Sequence, residues 1–184
     1  VQQTWSAEPL SSRADRLRRL AGLLERDAEL LAVLAAHEMG RPLSQARAEL
    51  AKCALTIRQL CEQAEGWLAP ESVETESGAT WVAHEPIGVV LGLLPWNFPY
   101  WQVIRAAAPA LLAGNGFAWK HDEHTPGCAR ALERLVEEAG LGPLMPWLPV
   151  SYQAVAALIE HPTVAGVTLT GSTRAGRIVA AQGG

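Results

Sequence analysis

The amino-acid sequence predicts an α/β protein in which an N-terminal pair of helices precedes a doubly wound parallel sheet, and three observations favour this class. Up to residue 68, apolar residues recur at helical spacing. From residue 87 onward, short apolar segments alternate with helical ones, which is typical of parallel strands joined by right-handed crossovers. The 184 residues suit one domain. We divide it into a helical front (1–68), a hairpin arm (70–86) and an α/β core (87–184).

The helical front is predicted to contain two antiparallel helices. Ser11 or Ser12 is a candidate N-cap for the first helix, and Gly40 and Pro42 are expected to end it. The apolar stripe of the first helix consists of Leu17, Leu20, Ala21, Leu24, Ala28 and Leu31. The stripe of the second consists of Leu50, Cys53, Ala54, Ile57, Leu60, Cys61 and Ala64.

The next segment changes from polar to strongly apolar. Pro70 to Gly78 is polar and is predicted to be a turn. Thr80 to Glu85 alternates, which predicts an exposed strand and one arm of a hairpin. Ile87 to Leu94 is a nearly continuous apolar run, as in a strand buried on both faces. Tyr100 to Leu112 is predicted to be a helix kinked at Pro109.

The remaining elements continue the alternation. Phe117 to Lys120 is predicted to be the second strand, and Thr125 and Pro126 are expected to begin a helix that runs to Gly140. The last four elements, in order, are a third strand at Trp147 to Val150, a helix from Ser151 to His161, a fourth strand at Gly166 to Thr170 and a helix from Arg174.

Composition excludes several classes of function. The formal net charge of -4 and isoelectric point of about 5.7 argue against a nucleic-acid groove, which needs a basic stripe. Three cysteines (Cys53, Cys61 and Cys128) give neither a disulfide framework nor a zinc pattern, and we expect no metal site. Residues 1–12 lack the order of a signal peptide, and the apolar run at 87–94 is too short to span a bilayer. We therefore expect a cytoplasmic protein without a membrane partner.

Ligands of doubly wound sheets bind at the carboxyl ends of the strands, and the first such place is Pro95-Trp96-Asn97-Phe98-Pro99. Two prolines stiffen this loop, and we expect its aromatic residues to shield Asn97 from water. A rigid Asn amide in a dry pocket is what an oxyanion hole requires. The alternative is a structural turn in which Asn97 bonds its own backbone.

The other two places follow the second and fourth strands. Lys120 and Glu123 are candidates to bind ribose hydroxyls, or else they belong to a solvated loop. Gly171 and Ser172 stand directly before a helix, whose free N–H groups and partial positive charge attract phosphate. We expect Gly171 to permit a tight turn and Gly176 to permit close packing on the sheet. The alternative here is an ordinary capped helix.

These places, in this order, resemble the aldehyde dehydrogenase family. The pentapeptide around Asn97 matches that family's loop in full, and the resemblance extends from about Ser11 to Gly184. Further matches are Pro109-Ala110-Leu111, Ala113-Gly114-Asn115, Lys120, Thr125-Pro126, and Leu169-Thr170-Gly171-Ser172-Thr173 followed by Gly176.

The resemblance implies a Rossmann-like cofactor-binding domain and NAD(P)-dependent oxidation of a small aldehyde to a carboxylic acid. It implies that Asn97 is the oxyanion donor, that Lys120 and Glu123 hold the adenosine ribose, and that Trp96 lies near the nicotinamide end. It also implies that Ser172, beside Gly171, contacts the pyrophosphate. We expect NAD as cofactor, because a carboxylate at Glu123 repels a 2′-phosphate, but Lys120 leaves NADP open.

A finer similarity is to bacterial succinate-semialdehyde dehydrogenases, which implies that succinate semialdehyde is oxidised to succinate. It lies in Leu91 to Pro95, Trp101 to Arg105, Lys120-His121 and Arg174 to Arg177. In that group an Arg at the position of Arg105 is associated with the substrate carboxylate, as bidentate pairing allows. The alternative is that Arg105 is a surface residue of its helix.

The sequence departs from the family because the nucleophilic cysteine and the basic glutamate of that family come after Gly184. We therefore expect the catalytic domain to be absent and the 184-residue chain alone to be inactive. Cys53 and Cys61 are predicted core residues, and we expect no chemical role for Cys128. His121 and His124 are expected in a solvated loop.

An alternative function is open, that of a non-catalytic nucleotide-binding or subunit-pairing fragment. The hairpin arm favours pairing, since family members use a similar arm to oligomerise. A homo-oligomer is accordingly expected for the complete protein.

Overall fold

The computed structural model describes residues 1–75 and 78–183. It confirms the predicted class, with a helical front followed by a parallel sheet and its helices. Within the described residues, every helix is too short or too polar to cross a membrane.

The helical front contains four helices rather than the predicted two. Their bounds are α1 Gln2–Ser6, α2 Leu10–Arg26, α3 Ala28–Met39 and α4 Leu43–Leu68. Asp27 divides the predicted first helix, and its carboxylate bonds Arg26 and Arg134 at this break. Pro9 is the N-cap residue of α2, so the expected cap at Ser11 or Ser12 is wrong. Gly40 ends α3 with a φ of 69°, a left-handed conformation that glycine adopts without strain.

The hairpin arm pairs β1 (Glu71–Thr75) with β2 (Gly78–Val82) in an antiparallel register. The predicted turn at 70–78 is therefore wrong for residues 71–75 and for Gly78, and its positions 76 and 77 lie outside the described residues. The predicted strand at 80–85 is confirmed in its first half. Both strands are exposed along their length, and Trp81 is 66% exposed.

The α/β core contains three parallel strands in the order β4-β3-β5. Its elements are β3 Val89–Leu93, α5 Trp101–Leu112, β4 Gly116–Lys120, α6 Pro126–Glu138, α7 Val155–Ile159, β5 Val164–Leu169 and α8 Thr173–Gly183. Two short 3₁₀ turns, Gly142–Leu144 and Tyr152–Ala154, lie before α7. Pro109 lies inside α5, as the sequence predicted.

The predicted strand at Trp147 to Val150 is wrong, because only Trp147 pairs with the sheet. Leu148 N donates to Trp119 O at 2.8 Å, and Trp119 N donates to Pro146 O at 3.1 Å. Pro146 and Pro149 flank this bridge and have no N–H to extend the ladder. The segment therefore covers the edge of β4 with a single bridge.

Two large aromatic residues fill β4, and a glycine in β3 makes room for one of them. Phe117 and Trp119 are both fully buried. Gly92 pairs in register with Trp119, and a Cβ atom at Gly92 would lie 2.5 Å from Cζ of Phe117. The sheet accepts these side chains because β3 has no side chain at that position.

A carboxylate of the helical front caps α6. Thr125 occupies the predicted N-cap position, but its hydroxyl makes no capping hydrogen bond. Glu38 of α3 accepts instead, from Gly127 N at 2.7 Å and from Cys128 N at 2.9 Å. Negative charge at a helix N-terminus is favourable, so this contact ties the front to the core.

We expect Gly92→Ala to lower the free energy of unfolding by about 1–3 kcal/mol, because the new methyl group overpacks Phe117. Gly22→Ala is the matched control: Gly22 lies inside α2 with no atom near its Cβ position. It should raise stability by up to about 1 kcal/mol, since alanine favours helix. Urea unfolding measures both. Equal stability of Gly92→Ala and the unchanged protein would show that Phe117 does not need this space.

Candidate functional site

The three places selected from the sequence meet at one edge of the sheet. In the parallel register, Leu93 pairs with Lys120 on one side and with Leu169 on the other. Beyond the strands, Leu94 N donates to Lys120 O at 3.2 Å and Thr170 N donates to Leu93 O at 3.0 Å. The loops that follow β3, β4 and β5 are therefore held side by side.

A pocket of about 620 Å³ lies at this edge, a volume typical of small-molecule sites. It brings together four of the seven predicted site residues, and Tyr152 joins them. These lining residues are Trp96, Lys120, Tyr152, Gly171 and Ser172. The other three predicted residues, Asn97, Arg105 and Glu123, lie outside its lining.

Lys120 is a buried cation at the end of β4, with only 2% of its surface exposed. Its Nζ donates to His121 O at 3.0 Å and lies 3.9 Å from Oε1 of Glu123. Burial lowers the pKa of Lys120, and the nearby carboxylates of Glu123 and Asp122 oppose that change. The ammonium has three N–H donors, so it keeps donor capacity for a ligand.

Asp122 and Tyr152 belong to this site, although sequence reasoning did not find them. The Tyr152 hydroxyl donates to Oδ2 of Asp122 at 2.7 Å, and Lys120 Nζ lies 3.8 Å from the centre of the Tyr152 ring. An Asp two residues before His124 is a local signal, because its Oδ1 accepts from His124 N at 3.0 Å. Tyr152 lies 30 residues from Asp122, and no local pattern connects the two.

His121 is buried, so the expected solvated loop is wrong at this position. It is 3% exposed, and its ring meets the Trp119 ring edge-on at 5.5 Å. Burial lowers the pKa of His121 to about 4, so the ring is neutral at neutral pH. His124 lies outside the core with an exposed side chain. In residues 1–75 and 78–183, no group of three or more His, Cys, Asp and Glu side chains is placed to hold a metal.

The loop at Asn97 is a turn that emerges from the sheet edge. Asn97 is exposed, and its neighbours Trp96 and Phe98 are 45% and 39% exposed. The expected shielding of Asn97 by these aromatic residues is therefore wrong for the described part of the chain. The alternative, in which the Asn97 amide bonds its own backbone, has no such bond among the described residues. The amide is left available to a ligand.

A buried glutamate of the helical front anchors this loop. Oε1 of Glu49 accepts from Tyr100 N at 2.9 Å and from Trp101 N at 2.8 Å, at the start of α5. Arg41 bonds the other carboxylate oxygen and stacks 4.6 Å from the centre of the Phe98 ring. Burial raises the pKa of Glu49, while the two backbone hydrogen bonds and Arg41 oppose that rise. The chain after Asn97 is thus fixed by α4.

Arg105 is an exposed residue of α5 that bridges to the sheet edge. Its Nε donates to Oε1 of Gln102 at 2.8 Å, and its terminal nitrogen donates to Oγ1 of Thr170. Arg105 therefore reaches the loop that follows β5, directly before Gly171.

The loop before α8 differs from the expected tight turn. Neither Gly171 nor Gly176 has a positive φ. A Cβ atom would meet nothing closer than 3.7 Å at Gly171 and 3.8 Å at Gly176. Ser172 Oγ accepts from Ala175 N at 3.2 Å and caps the helix. The fold does not require glycine at 171, and the space it leaves is on the wall of the pocket.

The three cysteines are unsuited to nucleophilic chemistry. Cys53 and Cys61 lie on the buried stripe of α4, as predicted, and Cys128 is fully buried in α6. Burial raises the pKa of each thiol, so each is a neutral thiol at physiological pH.

Comparison with known proteins defines the class. The model of the aldehyde dehydrogenase family matches residues 1–184, and the chain belongs to this family. The succinate semialdehyde dehydrogenase [NAD(P)+] of Escherichia coli K12 is 36% identical over 181 residues, which are 98% of this chain and 39% of that protein. The succinate-semialdehyde dehydrogenase [NADP(+)] of Deinococcus radiodurans is 40% identical over 182 residues, which are 98% of this chain and 38% of that protein.

A solved structure agrees with the sequence comparison. The succinic semialdehyde dehydrogenase of Streptococcus pyogenes, in complex with NADP+, superposes with a TM-score of 0.94 at 34% identity. The match covers 99% of this chain and 40% of that one. The chain thus spans about two fifths of the length of these relatives and corresponds to their N-terminal portion.

Proposed function

We propose that this chain is the cofactor-binding portion of an NAD(P)-dependent aldehyde dehydrogenase that oxidises succinate semialdehyde to succinate. The observation that carries the proposal is the pocket at the carboxyl edge of the sheet, where Lys120, Gly171 and Ser172 meet. The residues fit a dinucleotide, because the pocket combines a buried cation, a helix N-terminus and a glycine whose missing side chain leaves room. The bound nicotinamide supplies the hydride acceptor.

The start of α8 holds the pyrophosphate in this proposal. The helix has 11 residues, and the N–H groups of its first turn have no partner within the helix. Ser172 Oγ accepts from Ala175 N, and its hydroxyl hydrogen is free to donate to the pyrophosphate. The partial positive charge of the helix end then stabilises the anion.

Lys120 and Glu123 bind the adenosine ribose in this proposal. Glu123 is more than half exposed and near the Lys120 ammonium, so its carboxylate can accept from a ribose hydroxyl. A 2′-phosphate carries about -1.5 to -2 charges and would be repelled by Glu123. We therefore propose NAD as the preferred cofactor, although relatives such as that of Deinococcus radiodurans are named for NADP(+).

Asn97 is the proposed oxyanion donor, and Trp96, which lines the pocket, is the proposed contact of the nicotinamide end. The Glu49 anchor keeps the loop in place, so the amide is preorganised to stabilise negative charge on the aldehyde oxygen. All three cysteines here are buried neutral thiols, so none of them is the proposed nucleophile. The 184-residue chain alone is inactive in this account.

Arg105 is the proposed partner of the substrate carboxylate. It is exposed at the same edge as the pocket, and Gln102 and Thr170 orient its guanidinium. A planar guanidinium pairs well with a carboxylate, which suits succinate semialdehyde.

The exposed hairpin favours a second role, subunit pairing in a homo-oligomer. Trp81 is 66% exposed and Val82 is 48% exposed on a two-stranded arm. Exposed apolar residues on an unpaired strand edge mark a surface suited to protein association.

We expect Asn97→Ala to lower kcat about a hundredfold or more in an enzyme that contains this segment and the remaining catalytic residues. Loss of one oxyanion donor usually costs this much. Steady-state kinetics gives kcat, and the dissociation constant for the cofactor, expected unchanged, is the control for folding. An unchanged kcat would remove Asn97 from this role.

We expect Glu123→Ser to shift cofactor preference toward NADP, because it removes a charge that repels the 2′-phosphate. The measurement is the ratio of dissociation constants for NAD and NADP, determined by calorimetry. Glu160→Ser is the control, since Glu160 is exposed at the opposite end of the sheet. If the ratio moves equally in both variants, or in neither, Glu123 is not the selector.

A further inference from the structure

Tyr152 contacts Lys120 and Asp122 at once, across a gap of about 30 residues in the chain. It lies on the 3₁₀ turn Tyr152–Ala154 and lines the pocket while 56% exposed. Its ring centre is 3.8 Å from Lys120 Nζ, and its hydroxyl donates to Asp122 at 2.7 Å. An ammonium over an aromatic face is attracted by the ring quadrupole, so the Tyr152 ring stabilises the Lys120 ammonium in this position.

Asp122 is in turn held by three donors. Its side chain is 12% exposed and accepts from the Tyr152 hydroxyl, from His124 N at 3.0 Å and from the His124 ring at 2.5 Å. Burial opposes ionisation of Asp122, but these hydrogen bonds outweigh it and lower its pKa. The carboxylate is therefore charged and fixed at neutral pH.

We propose that Tyr152 and Asp122 are positioning residues that hold the Lys120 ammonium for the adenosine ribose of a nicotinamide dinucleotide and disfavour a 2′-phosphate there. This inference rests on the proposed function, in which the pocket binds the dinucleotide. It adds Asp122, from the loop after β4, and Tyr152, from the turn before α7, to the proposed pair of Lys120 and Glu123.

The arrangement of donors supports the positioning role. One Nζ donor of Lys120 is used by His121 O, and the Tyr152 ring lies against the ammonium. The ammonium is consequently restrained on two sides and keeps donors for a ribose hydroxyl. Less side-chain freedom is then lost when the ligand binds.

The arrangement of charge supports the selective role. Glu123 lies 3.9 Å from the Lys120 ammonium, and the charge of Asp122, which the Tyr152 hydroxyl holds, acts on the same ammonium. A 2′-hydroxyl can donate to a carboxylate, whereas a 2′-phosphate adds about 1.5 to 2 negative charges to a cluster that is already negative. Juxtaposed like charges suppress binding of the wrong partner.

The test is calorimetric titration of the purified protein, and of four variants, with NAD and separately with NADP. Tyr152→Phe keeps the ring and removes the hydroxyl, while Tyr152→Leu keeps apolar bulk and removes the ring. Asp122→Asn keeps an acceptor and removes the charge. Glu160→Gln removes an exposed carboxylate at the far end of the sheet and is the control.

We expect Tyr152→Leu to raise the dissociation constant for NAD about two- to thirtyfold, the range of a cation–π contact. Tyr152→Phe, which keeps the ring, should leave this dissociation constant within about twofold of that of the unchanged protein. If Tyr152→Leu left the dissociation constant for NAD within about twofold of the unchanged protein, Tyr152 would only fill space, and its positioning role would be overturned.

We expect Asp122→Asn to improve NADP binding relative to NAD binding by about fivefold or more, while Glu160→Gln leaves this ratio unchanged. An unchanged ratio in Asp122→Asn would overturn the selective role. If the unchanged protein binds neither dinucleotide, the proposed function itself fails, which is a different result from unchanged ratios. Circular dichroism of each variant confirms that it is folded before it is scored.

Discussion

The fold and its site depend on two carboxylates, the buried Glu49 and the half-buried Glu38, that the helical front presents to helix N-termini of the core. Glu49 of α4 accepts two backbone hydrogen bonds at the start of α5, and Glu38 of α3 accepts two at the start of α6. Burying a charge is costly unless it is paired and hydrogen-bonded. Glu49 meets that condition because Arg41 bonds its second oxygen. The helical front thus helps to position the site, since it fixes the start of α5 directly after the Asn97 loop.

The parallel sheet brings the site residues together at one edge. Three neighbouring strands end at the same edge, so residues far apart in sequence come together without any long side chain having to reach. β3 delivers the loop of Asn97, β4 delivers Lys120, and β5 delivers Gly171 at the start of α8. The proposed oxyanion donor and the proposed ribose and pyrophosphate contacts come from different strand ends, and each strand end is held by its own backbone contacts. Trp96 of the loop after β3 lines the same pocket as Lys120 and Ser172, whereas its neighbour Asn97 lies outside the lining.

Much of this was predictable, because hydrophobic periodicity reports the layers and the ends of strands locate ligands. The stripes of α2 and α4, the buried run of β3 and the three places at the sheet edge followed from such patterns. The wrong predictions arose where single residues override the periodic pattern around them. Asp27 divides a helix that periodicity predicts as continuous, and two prolines prevent a strand around Trp147 although its residues favour one. The burial of His121 and the contact of Tyr152 with Asp122 depend on tertiary packing, which no window of sequence contains.

Hydrogen exchange in Glu49→Ala tests the central claim, that a carboxylate of the front fixes the Asn97 loop. Trp101 N is in the first turn of α5 and has no partner within its helix, so its protection comes from Glu49. We predict that exchange at Tyr100 and Trp101 accelerates at least about tenfold, while that at Leu94, bonded to Lys120, changes much less. The control is Glu62→Ala on the exposed face of α4, which should leave exchange unchanged at all three of these residues. Unchanged protection at Trp101 in Glu49→Ala would contradict the account.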